Sequence, residues 1–258
     1  MQAAANADYV LLCIGENSYT ETPGNLVDLS LSDNQQALAT ALIKTGKPVI
    51  FILNEGRPRI ISKIEPGAAA IVDVYLPGNY GADALAGILA GDINPSGKLP
   101  ITYPRHTNAL VPYIHKPSEG DSNPQGGMFK PQYPFGFGLS YTNFAYSNLA
   151  IDKNSFDPNE TATITVNVKN SGNREGKEVV QLFVSELIAS FTPDVKRLRG
   201  FEKIDLKPGE SKTVSFKIPM KQLAYVGPDN KEHLEEGDFK IQVADQSAIF
   251  KITKTIVF

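Results

Sequence analysis

The sequence has few of the residues that support disulfides or membrane insertion. It contains one cysteine, Cys13, so no internal disulfide is possible, and the apolar run around Cys13 predicts a buried thiol. No apolar run approaches the ~20 residues of a membrane helix. No charged-then-apolar leader precedes the first apolar run. We therefore expect no contact with a membrane and no secretion signal within this sequence.

The net charge and the spacing of the motifs argue against several further classes of protein. The net charge of -3 and a pI near 5.7 argue against a nucleic-acid binder, which usually carries a basic surface. Two glycine motifs, at residues 46–48 and 136–141, lack the other positions of a phosphate or dinucleotide loop. His106, His115 and His233 have no partner at metal-ligand spacing. We therefore expect no cofactor and no metal.

Residues 7–140 alternate strand and helix patterns. Buried strands are predicted at residues 9–14, 48–53 and 69–75, and a short helix at 59–64. A capping box at Ser32 and Gln35 starts a helix that Gly46 ends, and Gly91 ends another. This order predicts an α/β fold with a mostly parallel sheet covered on both faces, a three-layer sandwich. The Pro- and Gly-rich residues 104–138 are predicted to form a long loop that could border a cleft.

From about residue 144 the hydrophobic period changes to two. Strands are predicted at residues 161–168, 179–184, 211–218, 238–243 and 248–252, separated by turn sequences at 170–173 and 207–210. Several short strands with regular turns indicate an antiparallel, all-β sandwich. The sequence thus predicts two domains, residues 1–142 and 143–258.

Polar side chains follow the first two predicted strands. Glu16 and Glu21 lie after the first, where open α/β folds place ligands, and carboxylates there can serve as proton donors to sugars. On the residues alone, the favoured explanation for both is a solvated loop carboxylate. Glu55 and Arg57 follow the second strand, and we expect an ion pair that holds the loop in preference to a binding role.

Four motifs in one order resemble glycoside hydrolase family 3, the family of β-glucosidases and related enzymes. Besides the loop at residues 14–25, they are Leu-Pro-Gly-Asn-Tyr-Gly at 76–81, Asn-Pro-Ser-Gly at 94–97, Tyr-Pro-Phe-Gly-Phe-Gly-Leu-Ser-Tyr-Thr at 133–142, and Arg-Gly-Phe-Glu-Lys at 199–203 with Leu-Lys-Pro-Gly-Glu at 206–210. The resemblance covers nearly the whole chain. It implies a carboxyl-terminal α/β domain followed by a fibronectin type III-like sandwich.

The resemblance also implies a reaction and a role for Glu21. The chain would be the carboxyl-terminal part of a retaining β-glycosidase that hydrolyses O-glycosidic bonds, with Glu21 as its general acid/base and a β-linked saccharide as substrate. Glu16 matches a Gly-Glu pair that we interpret as structural. The family's catalytic barrel, about 250 residues, has no counterpart here. We therefore expect this chain to be inactive without its barrel domain.

A second interpretation remains open. An α/β domain joined to a sandwich could be a non-catalytic carbohydrate-binding or docking module. A face left exposed by the missing barrel would be apolar and could support a homo-oligomer. The resemblance places the full-length protein in the periplasm or outside the cell, while these residues do not identify a compartment.

Overall fold

The computed structural model describes residues 2–109, 113–119 and 130–258. Parts of the predicted long loop, residues 110–112 and 120–129, lie outside the described residues. The chain divides into two compact units. Of the described residues, 2–93, 101–109 and 130–135 belong to the first unit, and 94–100, 113–119 and 136–258 to the second. The domain limits 1–142 and 143–258 stay a prediction.

The first unit contains a parallel sheet of three strands. The strands are β1 (Val10–Gly15), β2 (Val49–Asn54) and β3 (Ala70–Asp73), in the spatial order β1-β2-β3. The helices are α1 (Gln2–Ala5), α2 (Asp33–Ile43) and α3 (Gly81–Ala90). All three strands were predicted, although β3 is shorter than expected. The three-layer arrangement remains a prediction.

The predictions for residues 59–64 and for Cys13 are wrong. Residues 59–64 do not form a helix: Ile60 bridges to Ser30, and a turn leads into the 3-10 helix Glu65–Gly67. Pro66 at the second position of that helix has no N–H to continue an α-helical pattern from the preceding residues. Cys13 is exposed, because burial alternates along β1 and only Leu12 and Ile14 face the core.

The second unit is a β-sandwich. Its strands are β4 (Phe144–Ile151), β5 (Ser155–Phe156), β6 (Thr161–Asn170), β7 (Gly176–Glu186), β8 (Arg197–Leu206), β9 (Ser211–Pro219), β10 (Tyr225–Val226), β11 (Glu232–Leu234), β12 (Gly237–Val243), β13 (Gln246–Ile252) and β14 (Ile256–Val257). Sheets β4-β6-β9 and β5-β13-β12-β7-β8 share one cluster of buried apolar side chains. A third sheet has the order β10-β11-β14. Pairing is antiparallel except between β5 and β13.

The Asn-Pro-Ser-Gly turn belongs to the second unit. The Asn94 side chain accepts hydrogen bonds from Ser140 Oγ and Tyr141 N, at 2.9 and 2.8 Å, and donates to Glu175 O at 3.0 Å. One amide thus fastens two distant segments, which explains why an asparagine stands at this turn. None of the helices among the described residues is long and apolar enough to cross a membrane.

Candidate functional site

Three carboxylates lie at the carboxyl ends of the parallel strands. Glu16 follows β1, Glu55 follows β2, and Asp73 is the last residue of β3. Parallel neighbours end at the same edge of a sheet, which is where ligands bind in open α/β folds. Glu16 and Glu55 were predicted from the sequence and Asp73 was not. The three side chains have very different environments.

Glu16 is a buried, ionised anchor. Its side chain is 2% exposed and its Oε1 lies 2.8 Å from Arg57 Nη2 and 3.1 Å from Arg59 Nη2. The backbone N–H groups of Gly56 and Arg57 donate to Oε2 at 2.9 and 3.1 Å. Burial alone would raise the pKa of Glu16, but these hydrogen bonds and the charge of Arg59 together lower it. Glu16 therefore ties the loop after β1 to the loop after β2.

The predicted ion pair between Glu55 and Arg57 is wrong. Arg57 pairs with Glu16 instead, and its guanidinium lies 3.9 Å from the centre of the Tyr19 ring. Arg57 Nη1 also donates to Gly24 O. Because one guanidinium contacts both ends of residues 19–24, it fixes the loop that carries Glu21.

Glu21 lies exposed at the tip of this loop. It caps the 3-10 helix Thr22–Gly24, and its carbonyl accepts from Gly24 N at 2.8 Å. Within residues 2–109, 113–119 and 130–258, its carboxylate has neither a hydrogen bond nor an ion pair. The carboxylate is therefore open to solvent on a backbone held from both sides. Its role as acid/base stays a prediction.

The backbone at this edge is strained. Glu21 has φ 45° and Tyr75, just after β3, has φ 52°, values that side-chain-bearing residues rarely adopt. Gly15 has φ 141°, and a Cβ there would meet Asn54 O at 2.2 Å. Such conformations persist where the surrounding structure imposes them, and they cluster at functional sites.

The first turn of α2 supports Gly15. Ser32 is the N-cap as predicted, with its Oγ accepting from Gln35 N at 3.4 Å. The Gln35 side chain does not complete the capping box. Its amide binds both the N–H and the carbonyl of Gly15, at 2.8 and 3.0 Å. Gln35 thus has a positioning role that the sequence pattern concealed.

Glu55 is buried against a tyrosine. It is 1% exposed, and Tyr103 Oη lies 2.7 Å from Glu55 Oε1 and 2.7 Å from Arg59 O. One hydroxyl hydrogen cannot serve two acceptors. If Glu55 carries a proton, it donates to Tyr103 Oη, and Tyr103 donates to Arg59 O. Burial, together with the charges of Asp73 and Glu16, raises the pKa of Glu55 to about 7 against the hydrogen bonds that lower it.

The other loop residues act locally. Thr20 and Asn25 are exposed, and Asp28 accepts from Ser30 N. Hydrogen bonds from Ser30 lower the pKa of Asp28. The contacts of Arg59 and Tyr103 were missed, the first because it lay in a predicted helix, the second because 48 residues separate it from Glu55. No cluster of three His, Cys, Asp or Glu side chains suited to a metal occurs in the described ranges.

The chain matches two domain families. Residues 1–141 match the glycosyl hydrolase family 3 C-terminal domain, and residues 178–247 match the fibronectin type III-like domain. The first match spans more than half of the chain. The chain therefore belongs to glycosyl hydrolase family 3, as its motifs predicted.

Several relatives have names that specify an activity. A lysosomal beta glucosidase of Dictyostelium discoideum is 43% identical over 95% of this chain and 31% of its own length. A periplasmic beta-glucosidase of Salmonella typhimurium is 38% identical over 97% of this chain and 34% of its own. The structure of a beta-glucosidase from Listeria innocua in complex with gluconolactone has a TM-score of 0.89 and 28% identity, covering 98% of this chain and 37% of that one. This chain spans about a third of the length of these relatives.

Proposed function

We propose that the chain is the carboxyl-terminal part of a retaining β-glycosidase, β-glucosidase-like, in which Glu21 is the general acid/base. The observation that carries the proposal is an exposed, unpaired carboxylate on a strained loop that Arg57, ion-paired to the buried Glu16 side chain, holds in place. The names of its relatives supply the substrate class, a β-linked saccharide. An exposed glutamate on a loop with no contacts to hold its backbone would not support a role as acid/base.

The geometry favours Glu21 over the other two glutamates. An acid/base must be protonated when it donates to the leaving oxygen, whereas Glu16 is paired with two arginines that favour its ionised form. Glu55 is 1% exposed and its Oε1 contacts Tyr103 Oη in the interior, so a substrate could not reach it. Of these three glutamates, Glu21 is the one that combines access to solvent with a position near the sheet edge.

A retaining mechanism needs a second carboxylate, the nucleophile, at about 5–5.5 Å from the acid/base. We propose that it belongs to a barrel domain outside these 258 residues, so that this chain alone is inactive. Exposed apolar side chains in the first unit, Val27, Leu76 and Tyr80, support a surface that another domain or a second copy would cover. The three-layer arrangement and the domain limits given above belong to the same proposal.

The test is Glu21→Gln in the protein extended by its own upstream coding sequence. We expect turnover of unactivated β-glucosides to fall by about 10²–10⁴-fold, because an unassisted leaving group is poor. Aryl glycosides with acidic phenols should lose far less. Glu202→Gln, at an exposed position on β8, is the control and should leave both rates unchanged.

Three results would contradict the proposal. Equal losses on both substrate types would argue against an acid role for Glu21. Hydrolysis of an aryl β-glucoside by the 258-residue chain alone would show that no second domain is needed. If the extended protein binds saccharides but hydrolyses none, the chain is a carbohydrate-binding module.

A further inference from the structure

The second unit contains a cavity of about 510 Å³ at one end of its hydrophobic core. Val184, Leu223 and Phe239, which belong to the core cluster, line it, together with the segment that joins β7 to β8. A volume of this size is within the range that binds small molecules. Two polar side chains that line the cavity, Glu186 and Arg199, each have a buried atom without a hydrogen-bond partner among the described residues.

Glu186 is a carboxylate where the strand pattern places a core residue. Inward-facing positions on β7 alternate through Val180, Leu182 and Val184, and Glu186 continues that alternation opposite Phe239 of β12. Its Oε1 is buried and has no hydrogen-bond partner among the described residues. An unpartnered buried carboxyl oxygen destabilises the folded state, and a hydrogen-bond donor that reached it would remove that cost.

Arg199 lines the same cavity and also has an unpartnered atom. The β7–β8 register shifts between Leu182, opposite Gly200, and Phe183, opposite Leu198, so Arg199 is the extra residue of a bulge. Bulges of this kind re-aim side chains. Arg199 Nε is buried without a partner among the described residues.

The remaining charges of the cavity are already paired. Asp194 Oδ1 lies 2.9 Å from Lys116 Nζ, and Asp194 Oδ2 lies 2.5 Å from Arg197 Nη2. Glu186 and Arg199 are therefore the lining groups left with unmet hydrogen bonds in the described part of the cavity. The Glu186 carboxylate accepts hydrogen bonds, or donates one if it is protonated, and the Arg199 guanidinium donates them.

Aromatic rings complete the lining. Phe191 is 53% exposed, and its ring packs edge-on against Tyr225 with centroids 6.1 Å apart. Tyr225 Oη donates to Glu235 at 2.6 Å, and one face of the Tyr225 ring stacks on His233 with centroids 5.7 Å apart, so Phe191 supplies the exposed ring. Exposed aromatic faces beside hydrogen-bonding groups suit ligands with one apolar and one polar side.

We propose that this cavity binds a neutral pyranose, whose adjacent hydroxyls contact Glu186 and Arg199 while a ring face packs against Phe191. A hydroxyl both donates and accepts, so neighbouring hydroxyls satisfy an acceptor and a donor together. A carboxylate ligand would be attracted by Arg199 and repelled by an ionised Glu186. A cationic ligand would be attracted by Glu186 and repelled by Arg199. The proposal is one of binding only and does not depend on the role of Glu21.

The test is amide chemical-shift mapping of the 258-residue chain titrated with glucose and with cellobiose. We expect saturable shifts at residues 184–199 and 223–228. Glu186→Leu and Arg199→Met should each weaken binding about tenfold or more, the cost of one hydrogen bond to a charged group. Glu186→Gln should retain most of it. Phe191→Ala, at an exposed position, should weaken binding without affecting folding.

Controls separate this site from the proposed catalytic loop. Glu21→Gln should leave these shifts unchanged, and sodium acetate and ethylammonium chloride at equal concentration should not reproduce them. The proposal is overturned if neither sugar gives saturable shifts there at 100-fold excess over about 1 mM, the affinity expected of a weak site. It is also overturned if Phe191→Ala and Arg199→Met bind as the parent chain does, or if acetate or the amine binds more tightly.

Discussion

Replacing Glu55 by glutamine should remove a pH dependence from the stability of the first unit. In the folded chain Tyr103 Oη lies 2.7 Å from both Glu55 Oε1 and Arg59 O, and both contacts are satisfied only when Glu55 is protonated. Glutamine can donate to Tyr103 in the same way at any pH. The substitution therefore copies the protonated state.

The magnitude follows from the pKa. The pKa of Glu55 rises from 4.5 to about 7 on folding. Between these values the folded chain binds more protons than the unfolded chain, so stability falls as pH rises. Each pH unit corresponds to about 1.4 kcal/mol, and the whole interval to about 3 kcal/mol. This stabilisation is complete below pH 4.5 and is lost as pH rises through about 7.

The assay is urea denaturation followed by circular dichroism at 222 nm from pH 4.5 to 8. Helices α2 and α3, of 11 and 10 residues, lie in the first unit and report on its unfolding. The free energy of unfolding of Glu55→Gln minus that of the parent should rise by about 3 kcal/mol over this range. Glu186→Gln, which removes a carboxyl with a pKa also raised to about 7 but in the second unit, is the control. If this difference in the free energy of unfolding does not change with pH, the claim that folding raises the pKa of Glu55 is refuted.

Three further predictions, made with four substitutions, test the loop framework by urea denaturation followed at 222 nm. Glu16→Gln leaves the arginines partly unpaired and should destabilise the first unit by about 3–5 kcal/mol, whereas a change under 1 kcal/mol would contradict a buried anchor. Gly15→Ala puts a Cβ 2.2 Å from Asn54 O and should cost more than about 2 kcal/mol, so wild-type stability would disprove the left-handed backbone. Glu21→Gly should be about 1 kcal/mol more stable than Glu21→Ala, because glycine tolerates φ 45°, and equal stability would argue against strain.

Regular elements were predictable because their patterns are local. The period-two alternation along β6 and β9 identifies inward and outward faces without reference to any other part of the chain. The continuous apolar run of β1 led to the wrong prediction that Cys13 is buried. The exposed face of this strand, Leu11 and Cys13, is as apolar as its buried face. An apolar pattern shows where a strand is, and its burial depends on what packs against it.

The candidate site was predictable only in part. Its position at the sheet edge follows from the strand order, and the loop carboxylates follow from the sequence. Their partners do not: Arg57 bonds to Glu16, 41 residues away, and not to its near neighbour Glu55. Which of several nearby charges pair is decided by tertiary geometry, because local spacing offers both choices. Tyr103, which contacts Glu55 across 48 residues of sequence, could not be predicted for the same reason.

The most direct test of the central claim is chemical rescue of Glu21→Ala in the extended protein. In a retaining mechanism the acid/base later activates water, a task that azide does not need because it carries no proton to remove. Adding azide should accelerate turnover of an activated aryl β-glucoside about tenfold or more and yield the β-glycosyl azide. If azide leaves the rate unchanged and no glycosyl azide forms, Glu21 is not the acid/base.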